Sequence, residues 1–548
     1  MSLKPQTDFT IPEATARIAQ AAFPKGNPYM QMRHELGTLY HDSDFADLFP
    51  LCGQPGLAPW RLALVTIMQF AENLTDRQAA DAVRGRIDWK YALGLELDDA
   101  GFDFSVLSEF RTRLLEAGAQ ERLFERMLAL FKERNLLKAG GRQRTDSTHV
   151  IASVRELNRL ELVGETLHHA LNVLVQVDPV WLKGHITPVW FERYSDRFSN
   201  YRLPKSKAKR QALAQQIGQD GWALLGHLYD EAAPAYLQKV PAVETLRRIW
   251  VQQFYYQDDK VLWRARDNVP PASVMVASPY DEEVRYSHKR DMQWRGYKVH
   301  LTETCDEASP HLIVHVETTL ATTQDSTVVE PIHQDLQEKE LLPDEHLVDR
   351  AYVSADLLVD SRRDYGVDLV GPVRDDQSWQ ARTEGAYEQR QFVVDWDNKV
   401  VTCPQGKQSR YWKPWKKQQE KPMIQVHFDK RDCGQCPWRG LCTRRKAGPR
   451  ALTLPERVQY ETLEWARQRQ ESEAFKEQYA PRSGIEGTIS QAVFALGMRR
   501  ARYRGLGKTH LQHVVTAVSI NLKRVIDWYD ERPRSQTYRS QFARLKAA

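Results

Sequence analysis

The stretch Trp294-Arg295-Gly296-Tyr297-Lys298-Val299-His300-Leu301-Thr302-Glu303-Thr304 alternates in the manner of a strand. Asp306-Glu307-Ala308-Ser309-Pro310 breaks it with turn-forming residues, and Leu312-Ile313-Val314-His315-Val316-Glu317-Thr318-Thr319 resumes the pattern. Two such runs around a short polar break read as an antiparallel hairpin. Downstream, the spacing of apolar residues predicts a helix over 328–339, a strand ending at Asp349, a helix over 354–365 and a strand over 367–373. Upstream, residues 141–154 hold Gln143-Arg144-Thr145-Asp146-Ser147-Thr148-His149-Val150 and read as the first strand of an α/β unit. Residues 155–261 read as helical and interrupt the sheet that this strand begins. The expected class is therefore α/β, a mixed sheet with one antiparallel edge and helical insertions.

Bulk properties narrow the function. A chain of 548 residues is too long for one ordinary core, and 42% hydrophobic with 27% charged residues describes a soluble globular protein. No run of about 18 apolar residues exists to span a membrane. The start, Met-Ser-Leu-Lys-Pro-Gln-Thr-Asp-Phe-Thr, lacks the apolar core of a signal peptide. Six cysteines do not make a secreted disulfide scaffold, so a reducing cytoplasm is expected. The net charge of +5 is modest, but its distribution is uneven. Lys407 to Arg450 carries 13 Lys or Arg against three acids, and Arg482 to Arg524 carries eight against one, which is Glu486. Clustered cations attract polyphosphate by releasing its counterions, although a solvated basic face has the same composition.

Around the sheet, residues 1–40 read as irregular and 58–137 as helices. Thr75 or Asp76 is the expected cap of the second helix, and helices are also expected from about Ser105 and over 119–135. Short helices with tight turns suit either a helix-turn-helix or a plain bundle. Residues 380–450 form a distinct basic unit, 451–530 return to helix, and 531–548 read as a loose tail.

Three acids have contexts suited to metal-binding carboxylates: Asp146 on the first strand, Asp349 at the end of His346-Leu347-Val348, and Glu486 at the opening of an apolar-periodic helix. Carboxylate oxygens suit a hard ion such as Mg²⁺, and paired ions activate one oxygen at phosphorus and stabilise another. The segment Tyr479-Ala480-Pro481-Arg482-Ser483-Gly484-Ile485-Glu486 resembles the Y-x2-R-x3-E-x6-K signature of insertion-sequence DDE transposases. With Asp146 and Asp349 upstream, the order Asp, Asp, Glu is complete. The Trp-Arg-Gly-Tyr-Lys strand, the cysteine cluster and the N-terminal helices also look like that family, over residues 40–527.

The resemblance implies a ribonuclease-H-like catalytic core made of residues 138–154 and 262–379, completed by the helices of 451–530. It further implies a helical DNA-binding region over 1–137, a helical insertion over 155–261 and a basic cysteine-bearing insertion over 380–450. Asp146, Asp349 and Glu486 would hold two Mg²⁺ ions, with Mn²⁺ as a substitute. The implied activity is cleavage at transposon ends and strand transfer into target DNA by a homodimer on DNA, in a bacterial cytoplasm at the nucleoid. A two-metal nuclease without strand transfer, or a decayed DNA-binding protein, shares much of this sequence. Tyr479, Arg482, Arg499, Arg500, Arg502, Arg504 and Lys508 are the expected DNA contacts. One departure stands out: the Lys position of the signature is Val493.

The cysteines run Cys403-x29-Cys433-x2-Cys436-x5-Cys442, with His427 as a spare donor. Four thiolates suit a tetrahedral structural Zn²⁺, and flanking Lys and Arg are expected to lower the thiol pKa values. Free reduced thiols are the plainer alternative. Tyr411, Trp412, Trp415 and Trp438 interleave with Lys413, Lys416, Lys417 and Arg439, which suits base stacking or a small core equally well. Cys52 and Cys305 read as core residues.

Overall fold

A computed structural model describes residues 2–6, 9–50, 52–54, 56–415 and 422–533. The chain forms two compact units: Met1–Lys138, Asp146–Thr323 and Ile485–Ala548 in one, and Ala139–Thr145 with Gln324–Gly484 in the other. Strand β1 (Arg142–Ile151) therefore begins in the second unit and ends in the first. The expected tail over 531–548 lies outside the described residues beyond 533.

In the first unit the hairpin forms as the alternation predicts. After a small hairpin of β2 (Phe254–Gln257) and β3 (Lys260–Trp263), β4 (Arg285–Lys289) pairs antiparallel with β5 (Met292–Thr304), and β5 pairs antiparallel with β6 (Ile313–Leu320). Residue 296 must be glycine, because a Cβ there would stand 2.0 Å from the Val150 carbonyl oxygen. That close approach lets the Ala152 amide donate to the Arg295 carbonyl at 2.9 Å, beside the end of β1. Several polar members of β5 do not face water: His300, Thr302 and Glu303 are all buried. The long C-terminal helix (Leu506–Tyr529) packs along β6, and its Asn521 side chain both accepts from and donates to the Ile313 backbone of β6, at 2.8 and 2.7 Å. Edge-strand groups that would otherwise need water are thereby satisfied.

The same helix runs through the N-terminal bundle, where Ser519 donates to the Ile67 carbonyl at 3.1 Å. Helices occupy Pro59–Ala71, Asp76–Gly85, Ile87–Leu93, Ser105–Glu116 and Arg122–Glu133. Thr75 and Gln78 form a reciprocal capping box at the second of these, as expected. The expectation that residues 1–40 are irregular is wrong: Glu13–Ala22 and Pro28–Leu36 are helices. In the second of these Pro28 starts the helix rather than breaking it, since it occupies the first helical position while the Asn27 side chain caps the Tyr29 amide. The helical insertion has its own core, built on Leu167, Ile217, Leu224, Leu246 and Trp250.

In the second unit β1 runs parallel to β7 (Glu345–Val348), in register from Arg142↔Glu345 to Thr145↔Val348. Strand β8 (Asp368–Val370) extends this parallel arrangement beyond β7. Helices Val329–Glu338 and Ala355–Tyr365 appear where the apolar spacing predicts them. The basic insertion contains β9 (Val393–Asp395) paired with β10 (Val400–Thr402), and an antiparallel ladder of β11 (Ser409–Trp415), β12 (Met423–Phe428) and β13 (Ala451–Leu454). The fold is thus mixed α/β with many helices.

Candidate catalytic acids and basic surface

Asp146 and Asp349 occupy equivalent places in the backbone register. Thr145 and Val348 are the last registered pair of the parallel strands, and each aspartate is the next residue along its chain. Asp349 is half-exposed; its carboxylate accepts from the Arg350 amide at 2.6 Å and caps a short 3₁₀ turn, Arg350–Tyr352. Arg350 is turned to Asp375, 3.3 Å away. Asp146 accepts from the Ser147 amide at 2.7 Å. Asp146 belongs to the first unit and Asp349 to the second.

Glu486 lies in the first turn of the helix Gly484–Phe494, where a carboxylate is favoured by the unpaired amides. Ile485, Thr488, Ile489 and Ala492 are buried, whereas Glu486, Gly487, Ser490 and Phe494 are exposed along the opposite face. Val493, at the signature's Lys position, is half-buried, and its neighbour Phe494 is 83% exposed. Tyr479 ends the helix Glu473–Tyr479 and stacks on Phe475 with centroids 5.5 Å apart, and Arg482 falls in the 3₁₀ turn Ala480–Ser483. Sequence reasoning missed Arg144. Its guanidinium donates to the Pro481 carbonyl and lies where a side chain at 484 would stand, so any residue larger than Gly484 would have to displace it.

The basic segment after the Glu486 helix divides in two. Arg499 donates to the Thr148 hydroxyl at 3.0 Å, and its backbone bridges to Ile151. Arg502 donates to the Leu74 carbonyl at 2.9 Å and to Asn73, with its guanidinium 4.4 Å from the Phe70 ring centroid. Both are committed to holding the fold. Arg500, Arg504 and Lys508 are exposed.

The four cysteines of the insertion line one cavity of about 40 Å³. For Cys433 and Cys442 the shift runs opposite to the expected acidification. Burial raises the Cys433 thiol and pushes Cys442 up to about 11, outweighing the opposing arginines Arg439 and Arg450. Desolvation of the thiolate dominates because the cluster packs on the small apolar core around Phe392, Val426 and Leu452. His427 does not line the cavity. Among the described residues no group of three or more His, Cys, Asp or Glu is arranged to hold a metal ion. Trp412 packs edge-on against Trp396 at 5.4 Å, in the core, while Tyr411 is exposed between Arg410 and Lys413. Lys416 and Lys417 lie outside the described residues. Cys305 is buried as expected, but Cys52 is exposed.

Two family profiles match the chain: a transposase DDE domain over residues 402–526, which contains Glu486, and a transposase domain (DUF772) over residues 17–113, which covers most of the N-terminal bundle. No curated protein matches. Both profiles describe transposase domains, so over these two segments the chain is similar to DDE transposases. Such proteins act on DNA, and no described helix of this one is long and apolar enough to cross a membrane.

Proposed function

We propose that this transposase cuts DNA at the ends of its element and joins the freed 3′ ends to target DNA, with Asp146, Asp349 and Glu486 as the acids of a ribonuclease-H-like core. The observation that carries the reading is the parallel register of β1 and β7, which stops one residue before each aspartate. Glu486 is the third acid of this reading; it lies on the exposed face of its helix, inside the matched DDE segment, while no three acids among the described residues are already gathered to hold a metal ion. These groups are accessible hard-oxygen donors, the chemistry that Mg²⁺ or Mn²⁺ takes. When bound, such ions activate the attacking oxygen and stabilise the leaving one. Arg500, Arg504 and Lys508 hold phosphates, and the N-terminal bundle contacts the element end. Concerted cutting of two ends calls for a homodimer on DNA. The reading is tested with a linear duplex ending in the sequences that flank this gene. Wild-type protein with Mg²⁺ is expected to cleave it and to join pre-cut ends to a plasmid. Cleavage without joining would reduce the assignment to a nuclease.

For the insertion we propose a structural Zn²⁺ on Cys403, Cys433, Cys436 and Cys442, which line one cavity but are not already arranged as a metal site in this structure. About one zinc per chain is expected by elemental analysis, and none in C433S/C436S. Metal-free wild-type protein with four titratable thiols would refute it.

A further inference from the structure

The helix that carries Glu486 is fastened to the rest of the first unit by a polar cluster of Glu303, Thr488 and Arg524. Glu303, near the end of β5, is fully buried at 0% exposure. Its Oε2 accepts from the Thr488 hydroxyl at 2.6 Å and from Arg524 Nη1 at 2.7 Å. Arg524 Nη1 also donates to the His311 carbonyl at 2.7 Å. Its Nη2 donates to Thr488 Oγ1 at 2.6 Å and to Gln491 Oε1 at 3.3 Å. One planar guanidinium thus grips a strand, a loop and two successive turns of the Glu486 helix.

Three physical points decide what such a cluster is for. A buried ion pair is a poor source of stability, since apolar side chains of similar volume usually do as well. What it supplies is a fixed geometry, because each partner is costly to leave unpaired. Thr488 stands two residues beyond Glu486, about 200° around the helix, so fixing Thr488 inward sets the rotation and axial position at which Glu486 faces outward. Metal-binding carboxylates tolerate displacements of only about 0.5 Å.

We infer that Glu303, Arg524 and Thr488 are positioning residues for Glu486, acting on metal affinity through the helix. This rests on the reading of Glu486 as a metal-binding acid. Arginine is required because lysine cannot span strand and helix together.

The test uses the full-length protein bound to the same duplex of flanking sequences. Mn²⁺ binding is followed by the electron paramagnetic resonance signal of the free ion, alongside the Mg²⁺ dependence of cleavage and thermal unfolding. T488V and R524K are expected to weaken Mn²⁺ binding about tenfold and to raise the Mg²⁺ needed for half-maximal cleavage by a similar factor, with duplex binding retained. T488S, which keeps the hydroxyl, is expected to restore both. Unchanged Mn²⁺ affinity in T488V or R524K, whichever folds, overturns the inference even if the melting temperature falls. E486Q separates the two levels. If E486Q cleaves like wild type, the catalytic reading fails; if it is inactive while T488V binds Mn²⁺ normally, only the positioning role fails.

Discussion

Glu486 is exposed and Thr488 is buried, two residues apart on one helix, and that difference separates what the chain displays from what it hides. Asp146, Asp349 and Glu486 stand out in the sequence because short motifs flank them. Glu303 does not: a single acid in an alternating strand reads as a solvent-facing residue, and only the C-terminal helix makes it a buried partner of Arg524. The arginines after the Glu486 helix show the same limit. All looked alike in sequence, yet Arg502 is bonded to Leu74 and Asn73, whereas Arg500, Arg504 and Lys508 are exposed, Arg504 with its guanidinium 5.1 Å from the Tyr280 ring centroid. Two outcomes follow. D146N and E486Q should each lower Mg²⁺-dependent cleavage by more than about 100-fold, since even the outer partners of a metal ligand are worth that much. Duplex binding should persist in both, and cleavage at the wild-type rate by either would remove that residue from the site. R500A, R504A and K508A should each reduce the slope of log affinity against log salt by about 1, whereas R502A should cost stability and leave the slope unchanged. Fluorescence anisotropy over a salt series reads the first, and chemical unfolding the second.

At the scale of elements, apolar spacing placed the hairpin, the helices Val329–Glu338 and Ala355–Tyr365 and the parallel strands closely, because each buries one continuous stripe of its own sequence. The first two helices were missed because their stability comes from elsewhere. Thr15 of one donates to the Leu95 carbonyl at 2.8 Å, and Tyr29 of the other donates to Glu72 at 2.6 Å, so distant elements hold them. The cap at Thr75, by contrast, is wholly local and was read correctly. Its hydroxyl accepts from the Gln78 amide at 3.3 Å, and the Gln78 side chain accepts from the Thr75 amide at 2.9 Å. T75A should therefore destabilise the protein by about 1 kcal/mol in urea unfolding. T75S should cost much less, and equal losses in the two variants would show that the hydroxyl does not serve as the cap.

Across the whole molecule, the pairing of β1 with β7 joins residues some two hundred positions apart, and no local pattern encodes such a register. Long-range burial also determines how the protein responds to acid. His513, on the C-terminal helix, is fully buried; desolvation, with a smaller push from His510, takes it down to about 3. It shares a hydrogen bond of 2.9 Å with Thr318. His333, in the second unit, is taken down to about 4 by burial and shares a hydrogen bond of 2.9 Å with His346. Both folded values lie below the ordinary 6.5, so the unfolded chain takes up these protons first as pH falls. Their effect on stability is absent above about pH 7. It grows as a loss from pH 6.5 downward, at about 1.4 kcal/mol per pH unit for each imidazole, until the folded value is reached. Urea midpoints should accordingly be level between pH 7 and 8 and fall steeply between 6 and 5. H513Q, which keeps a polar side chain of similar reach, should start from a lower midpoint at neutral pH but lose one proton's worth of that slope. A wild-type slope in H513Q would mean that His513 already carries its proton in the folded protein, and that the helix along β6 is wetter than its packing indicates.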